Sequence, residues 1–141
     1  MLFDQETLNT FNDSLKRCQA DPLFLTLFYQ KFVISNAGIR EKFAHTDMQS
    51  QKMVLHASLY MIMLATQDNK AANVYLEQIA NRHSKEELDI SPDLYGYWLE
   101  SLIKTVGEID PDYSEEIEKA WRTVMGYGID YMISKYDPVA S

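Results

Sequence analysis

Apolar residues recur at helical spacing along almost the whole chain, and no run alternates apolar and polar residues for long enough to predict a sheet. The pattern begins after Asp4, a candidate N-cap, with Leu8, Leu15 and Cys18 on one face. Only five glycines and four prolines interrupt the 141 residues, which favours long helices. We therefore expect an all-α chain with one domain over residues 1–141.

Capping residues and prolines divide the chain into six or seven predicted helices. Serine, threonine and aspartate accept hydrogen bonds from the free N–H groups at a helix start, and proline fits the first helical turn. The first two predicted helices start at Asp4 and at Asp21-Pro22, and a short third one lies within 36–43. The fourth runs from Thr46 to about Thr66, and the fifth covers about 71–83. The sixth runs from Ser91-Pro92 to about Ile109, and the seventh runs from Asp112, with its capping-box partner Glu115, to about Tyr136. Asp137-Pro138 is predicted to end the last one.

Charge and cysteine content exclude several function classes. Thirteen basic and 21 acidic residues give a net charge of −8, which repels phosphate backbones and anionic membrane surfaces. We therefore expect no nucleic-acid partner and no membrane partner. Cys18 is the only cysteine, which fits a reducing compartment, and the start "MLFDQET" lacks the basic region of a signal peptide. These features predict a cytoplasmic protein.

A histidine ends one apolar helical face. Tyr75, Ile79 and His83 are spaced four residues apart, so they share a face on a helix. A histidine in the last turn can interact with the helix dipole and bond a free carbonyl, which is the structural interpretation. The alternative is a metal ligand, with the Ile79 carbonyl accepting from the imidazole. One histidine cannot hold a bare metal ion firmly, but it can hold haem iron, because the porphyrin supplies four ligands.

Several short motifs, in this order, resemble the globin family, above all bacterial single-domain haemoglobins and the globin domain of flavohaemoglobins. The resemblance covers almost the whole chain and implies a globin-like fold. The motifs are "LFYQKF" (27–32), "REKF" (40–43), "QSQKM" (49–53), "NRH" (81–83), "ISPDLY" (90–95) and "AWRTVMGYGI" (120–129).

The resemblance implies roles for individual residues. His83 becomes the proximal iron ligand, and Tyr95 lies behind it. On the opposite, distal side of the haem the implied residues are Tyr29, Gln49 and Met53. The apolar haem contacts are Phe43, Met53, Ile79, Ile90 and Trp98, and Lys52 is a candidate partner for the haem propionates.

Several of these residues have a competing interpretation. On sequence alone Tyr29 fits a buried core tyrosine as well as a ligand contact. Gln49 fits a capping box with Thr46, in which its side chain bonds the Thr46 N–H and cannot face the iron. Met53 is predicted to be buried, either as core or as haem contact, with iron ligation a less favoured alternative. If the helical register is wrong by one turn, His56 or Lys52 could approach the iron.

One feature of flavohaemoglobins is missing. In that family a glutamate on the last helix joins the tyrosine and the proximal histidine. Counting from Trp121, its position here falls at Tyr136, with Asp137 next. The loop between His83 and Ile90 is also slightly longer than the family pattern. Peroxidase-like chemistry is therefore not the favoured expectation.

The resemblance implies a b-type haem protein that reversibly binds dioxygen, and also carbon monoxide and nitric oxide, for oxygen storage, transport or sensing. One alternative is a nitric oxide dioxygenase or peroxidase. It would need an external reductant, because the chain has no "GxGxxG". The other is a haem-free interaction module. A homodimer is a further possibility.

Overall fold

The computed structural model describes residues 3–137 and contains seven α-helices in that range. The all-α prediction of six or seven helices is therefore confirmed. None of these helices is long and apolar enough to cross a bilayer. The helices are α1 (Gln5–Gln19), α2 (Phe24–Ile34), α3 (Ala37–Lys42), α4 (Met48–Ala65), α5 (Lys70–Arg82), α6 (Leu94–Ile109) and α7 (Glu115–Ser134).

The N-caps lie close to the predicted positions but not always on the predicted residue. Asp4 caps α1 as predicted, accepting from the Thr7 N–H at 2.7 Å. Asp47, not Thr46, caps α4, because its carboxylate accepts from two successive backbone N–H groups. Ser114, not Asp112, caps α7. Aspartate and serine both reach a free N–H at N2 or N3, so neighbouring polar residues compete for this position.

The predicted end of α6 at Ile109 is confirmed, and several other predicted boundaries differ by one to three residues. The segments Asp21-Pro22 and Ser91-Pro92 form turns, and the helices after them begin at Phe24 and Leu94. α7 ends at Ser134, and Pro138 lies outside the described residues. Helix ends are the least determined part of a helix, since their backbone groups can be satisfied in several ways.

The centre of the molecule is an aromatic core around Trp121 of α7. The Trp121 ring packs edge-on against Phe11 of α1 and Phe24 of α2, with centroids 4.7 and 6.3 Å apart. The Trp121 indole N–H donates to the Ser14 hydroxyl at 2.9 Å, and this hydroxyl donates to the buried Asp110 carboxylate at 2.6 Å. Buried polar groups are costly unless paired, so this chain of hydrogen bonds fixes α1 against the end of α6 and against α7.

Two helix pairs bring the site residues into position. α2 packs on α6, and Phe28 of α2 contacts both its neighbour Tyr29 at 4.8 Å and Trp98 of α6 at 6.1 Å between ring centroids. α4 packs on α5, where the hydroxyls of Ser58 and Tyr75 lie 2.9 Å apart. α2 and α4 carry the predicted distal residues, while α5 ends at His83 and α6 carries Tyr95.

Candidate functional site

His83 is the C-cap of α5, and its backbone N–H donates to the Ile79 carbonyl at 3.0 Å. Its side chain is partly buried. Burial, and secondarily the Arg82 charge, lower the pKa of His83 from 6.5 to about 4. The ring is therefore neutral near pH 7, which argues against the interpretation that it charges against the helix dipole. A neutral imidazole is the form that binds metals.

Tyr95 faces the His83 ring. The Tyr95 hydroxyl lies 3.4 Å from Nδ1 of His83, at the long end of the hydrogen-bond range. Burial raises the pKa of Tyr95 to about 12, so its hydroxyl keeps its proton. The prediction that the Ile79 carbonyl accepts from the imidazole is wrong in this structure. That carbonyl accepts the helical N–H of His83, and Tyr95 is the group beside the ring nitrogen instead.

Four of the predicted haem contacts are apolar side chains that keep some accessible surface. Phe43, Ile79, Ile90 and Trp98 all pack against the core, yet each is only partly buried. The Phe43 ring contacts Tyr29 at a centroid distance of 6.0 Å. Part of each side chain packs against the core, and the rest is accessible apolar surface that a flat hydrophobic group can cover.

Tyr29 is buried on α2, with 5% of its surface exposed. Burial raises the pKa of Tyr29 to about 12, and the side chain of Gln51 interacts with the hydroxyl and partly offsets this effect. Tyr29 is therefore a protonated hydrogen-bond donor in an apolar setting, with an amide beside it. Gln51 was not among the predicted distal residues.

Two predicted distal residues lie on the surface. Gln49 is exposed, and because Asp47 is the N-cap, the capping-box role with Thr46 is wrong as well. Met53 is 74% exposed, so the prediction that it is buried is wrong. The reason is helical phase: Met53 is two residues from the buried Leu55, which turns it to the opposite side of α4.

The same phase could have identified Gln51 from the sequence. Leu55 and Leu59 point into the core, and Gln51 precedes Leu55 by four residues, so all three share one face. The spacing of the leucines therefore favours Gln51, whereas the motif "QSQKM" read from its first glutamine points to Gln49.

The Lys52 ammonium donates to the Thr26 hydroxyl of α2 at 3.0 Å. Thr26 lies one turn before Tyr29, so this contact joins α2 and α4 next to the Tyr29 and Gln51 pair. The predicted propionate role for Lys52 therefore competes with a partner inside the chain. His56, the alternative iron ligand, is exposed on α4.

The histidine environment is suited to a macrocyclic metal complex rather than a bare ion. Within residues 3–137 no group of three or more histidine, cysteine, aspartate or glutamate side chains could hold a metal ion. What the fold does provide is one neutral imidazole, partly exposed apolar side chains among the predicted haem contacts, and a buried tyrosine with a glutamine partner. This set of residues fits haem, whose porphyrin brings its own ligands.

Comparison with known proteins identifies the family of this chain. The family model described as Globin matches residues 26–132. A crystal structure of a protein from Pseudomonas aeruginosa PAO1, described as structurally highly homologous to a human haemoglobin, is 37% identical, with a TM-score of 0.88. The match covers 92% of this chain and 98% of that one. No curated protein gives a significant sequence match. The chain belongs to the globin family.

Proposed function

We propose that this globin binds one b-type haem through His83 and reversibly binds dioxygen, carbon monoxide and nitric oxide. Oxygen storage, transport or sensing would be its role. The observation that carries the proposal is the partly buried, neutral His83 imidazole with the Tyr95 hydroxyl 3.4 Å from Nδ1. A partner at Nδ1 orients the ring and makes Nε2 the nitrogen that ligates iron. The single Cys18 supports a cytoplasmic location.

Phe43, Ile79, Ile90 and Trp98 are the residues we propose to hold the porphyrin. Their accessible apolar surface is the main source of binding energy beside the iron–imidazole bond, since burial contributes roughly 25 cal/mol per Å² of apolar surface. Met53 is not part of this group because of its exposure. Lys52 is a poorer candidate partner for the haem propionates than its charge suggests, because its ammonium already donates to the Thr26 hydroxyl.

When bound, the haem supplies an iron with one coordination position open to a diatomic gas. The chain's own contribution on that side is the Tyr29 hydroxyl. Its raised pKa keeps it protonated, so it can donate a hydrogen bond to a partly negative ligand and slow that ligand's release. The side chain of Gln51 lies beside this hydroxyl.

Reversible binding is favoured over oxidative chemistry by the environment of His83. A carboxylate partner would make the imidazole more electron-donating and would raise its pKa. Here burial and Arg82 lower that pKa, and the group at Nδ1 is a neutral phenol. Fast consumption of nitric oxide in the presence of oxygen and a reductant would instead support the dioxygenase alternative.

The test is an absorption spectrum of the purified full chain with haem added, first ferric, then reduced, then with carbon monoxide. We expect a five-coordinate ferrous spectrum that converts fully with carbon monoxide. His83→Ala should weaken haem affinity at least about tenfold, which corresponds to about 1.4 kcal/mol. The matched control is His56→Ala, an exposed histidine, which should bind haem like the wild type. No haem spectrum in the wild type would favour a haem-free interaction module.

A further inference from the structure

The loop that follows His83 closes on itself. The Ile90 N–H donates to the His83 carbonyl at 3.1 Å, so the two residues that flank the loop are joined. Inside it, the Asp89 N–H donates to the Ser84 carbonyl at 2.9 Å. Asp89 adopts a left-handed conformation with φ of 52°, which aspartate tolerates better than most residues. We name residues 84–89 the proximal loop.

Tyr136, just beyond the end of α7, contacts the proximal loop near both of its ends. Its backbone carbonyl accepts from the Lys85 N–H at 2.8 Å. Its hydroxyl donates to the Asp89 carboxylate. One residue therefore bonds both a backbone group at the start of the loop and a side chain at its end, and the charged acceptor makes the second bond the stronger type.

A second contact holds the proximal loop from the other side. The Lys42 ammonium donates to the Leu88 carbonyl at 3.3 Å. Lys42 is the last residue of α3 and precedes Phe43. The loop thus lies between the end of α7 and the end of α3, and its two flanking residues, His83 and Ile90, are both proposed haem contacts.

We propose that Tyr136 is a positioning residue for the proximal histidine. Through Lys85 and Asp89 it holds the proximal loop closed, which keeps the His83 ring against Tyr95. The inference rests on the proposed function of His83. A merely structural Tyr136 would stabilise the end of α7 without affecting the loop or the histidine.

The test compares Tyr136→Phe with the wild type in the full chain, before and after haem addition. Phenylalanine keeps the ring and the backbone carbonyl and removes only the hydroxyl. Hydrogen exchange of the Asp89 and Ile90 amides in the haem-free chain should become severalfold faster. Haem transfer to an excess of a haem-scavenging globin should become severalfold faster too. Tyr60→Phe, which alters a 46% exposed tyrosine of α4, is the control and should change neither rate.

A second variant tests the same hydrogen bond from its acceptor side, with Tyr136 left in place. Asp89→Asn keeps the left-handed conformation accessible and replaces the charged acceptor with a neutral one. It should give a smaller increase in both rates, and the double variant should resemble Tyr136→Phe alone, because one contact is removed only once.

The outcomes separate this inference from the proposed function. Unchanged amide exchange in Tyr136→Phe would overturn the inference, and so would faster exchange with unchanged haem release. Absence of haem uptake by the wild type would overturn the proposed function. In that case the exchange rates would still show whether Tyr136 holds the loop closed.

Discussion

The Tyr95 hydroxyl and Nδ1 of His83 lie 3.4 Å apart, and both groups are uncharged near pH 7. A neutral phenol fixes the direction of the imidazole without adding the electron density that a carboxylate would. This relationship joins the start of α6 to the end of α5, across the turn formed by Ser91-Pro92. It is the basis for expecting gas binding rather than peroxidase chemistry.

Removing the Tyr95 hydroxyl should loosen the proximal side without abolishing haem binding. Loss of the group that orients a metal-bound histidine typically weakens metal affinity by about 10–100-fold. Because the contact is long and neutral, we expect Tyr95→Phe to speed haem release about tenfold. The control is Tyr97→Phe, at a tyrosine that is 40% exposed on the same helix. Equal release rates in the two variants would contradict the proposed orienting role.

On the distal side, dioxygen release should depend on Tyr29 and Gln51 but not on Gln49. Tyr29→Phe removes the donor, and we expect release to become about tenfold faster, the equivalent of about 1.4 kcal/mol. Gln51→Leu should also speed release, since it removes the partner of the Tyr29 hydroxyl. Stopped-flow displacement of dioxygen by carbon monoxide measures these rates.

Gln49→Leu is the matched control, because it makes the same chemical change at an exposed position two residues away. We expect a wild-type release rate from it. An effect at Gln49 that equals the effect at Gln51 would mean that the side chains of α4 are oriented differently when haem is bound.

The buried Asp110 should contribute strongly to stability. Its side chain is inaccessible and accepts from the Arg17 guanidinium at 2.7 Å and from the Ser14 hydroxyl. Asp110→Ala removes the acceptor of the Ser14 hydroxyl and the nearest carboxylate to Arg17, which keeps only Asp112 at 3.6 Å, and this costs about 2 to 3 kcal/mol in the free energy of unfolding. Urea unfolding at pH 7 measures this difference.

The same carboxylate should make stability depend on pH in the acid range. Burial alone raises the pKa of Asp110, but the hydrogen bonds from Arg17 and Ser14 outweigh it and hold the pKa below its ordinary 3.8. The folded state therefore binds this proton less readily than the unfolded state. The stabilisation is present above pH 3.8 and is lost as the pH falls through the lower, folded value. Asp110→Asn should remove that part of the decline, as unfolding measured from pH 6 to pH 2 would reveal.

Two glycines in α7 should respond differently to alanine. A Cβ at Gly126 meets nothing within 4 Å, so Gly126→Ala should stabilise the helix by about 0.5–1 kcal/mol. A Cβ at Gly128 lies 3.1 Å from the Ile62 side chain of α4, so Gly128→Ala forces Ile62 to shift and should lose that gain. Thermal unfolding of the two variants measures the difference. Equal stabilisation would show that Ile62 adjusts without cost.

Several features of the site could be predicted from the sequence because they depend on local spacing. The position of His83 at the end of a helical face follows from the periodicity of Tyr75 and Ile79. The cap at Asp4 and the all-α class follow from the same kind of local pattern. The assignment of Tyr95 to the proximal side came from the family motif "ISPDLY", and the structure brings it to His83.

The distal residues follow less directly from the sequence. The motif "QSQKM" contains two glutamines, and the spacing of Leu55 and Leu59 favours Gln51 over Gln49, but the burial of these leucines is what fixes the rotation of α4. Met53 was predicted to be buried for its chemistry, although its helical phase places it on the surface. Hydrophobic residues also occur on protein surfaces, so chemistry alone does not determine which side of a helix is inside.

The sequence by itself determined the helical class, the approximate helices and the histidine at the end of α5, because helix formation and capping depend on residues within about one turn of each other. The tertiary structure decided the partners: Tyr95 for His83, Gln51 for Tyr29, Thr26 for Lys52 and Asp89 for Tyr136. Each of these contacts joins different segments of the chain. Their geometry is set by how whole helices pack, and no local pattern encodes that packing.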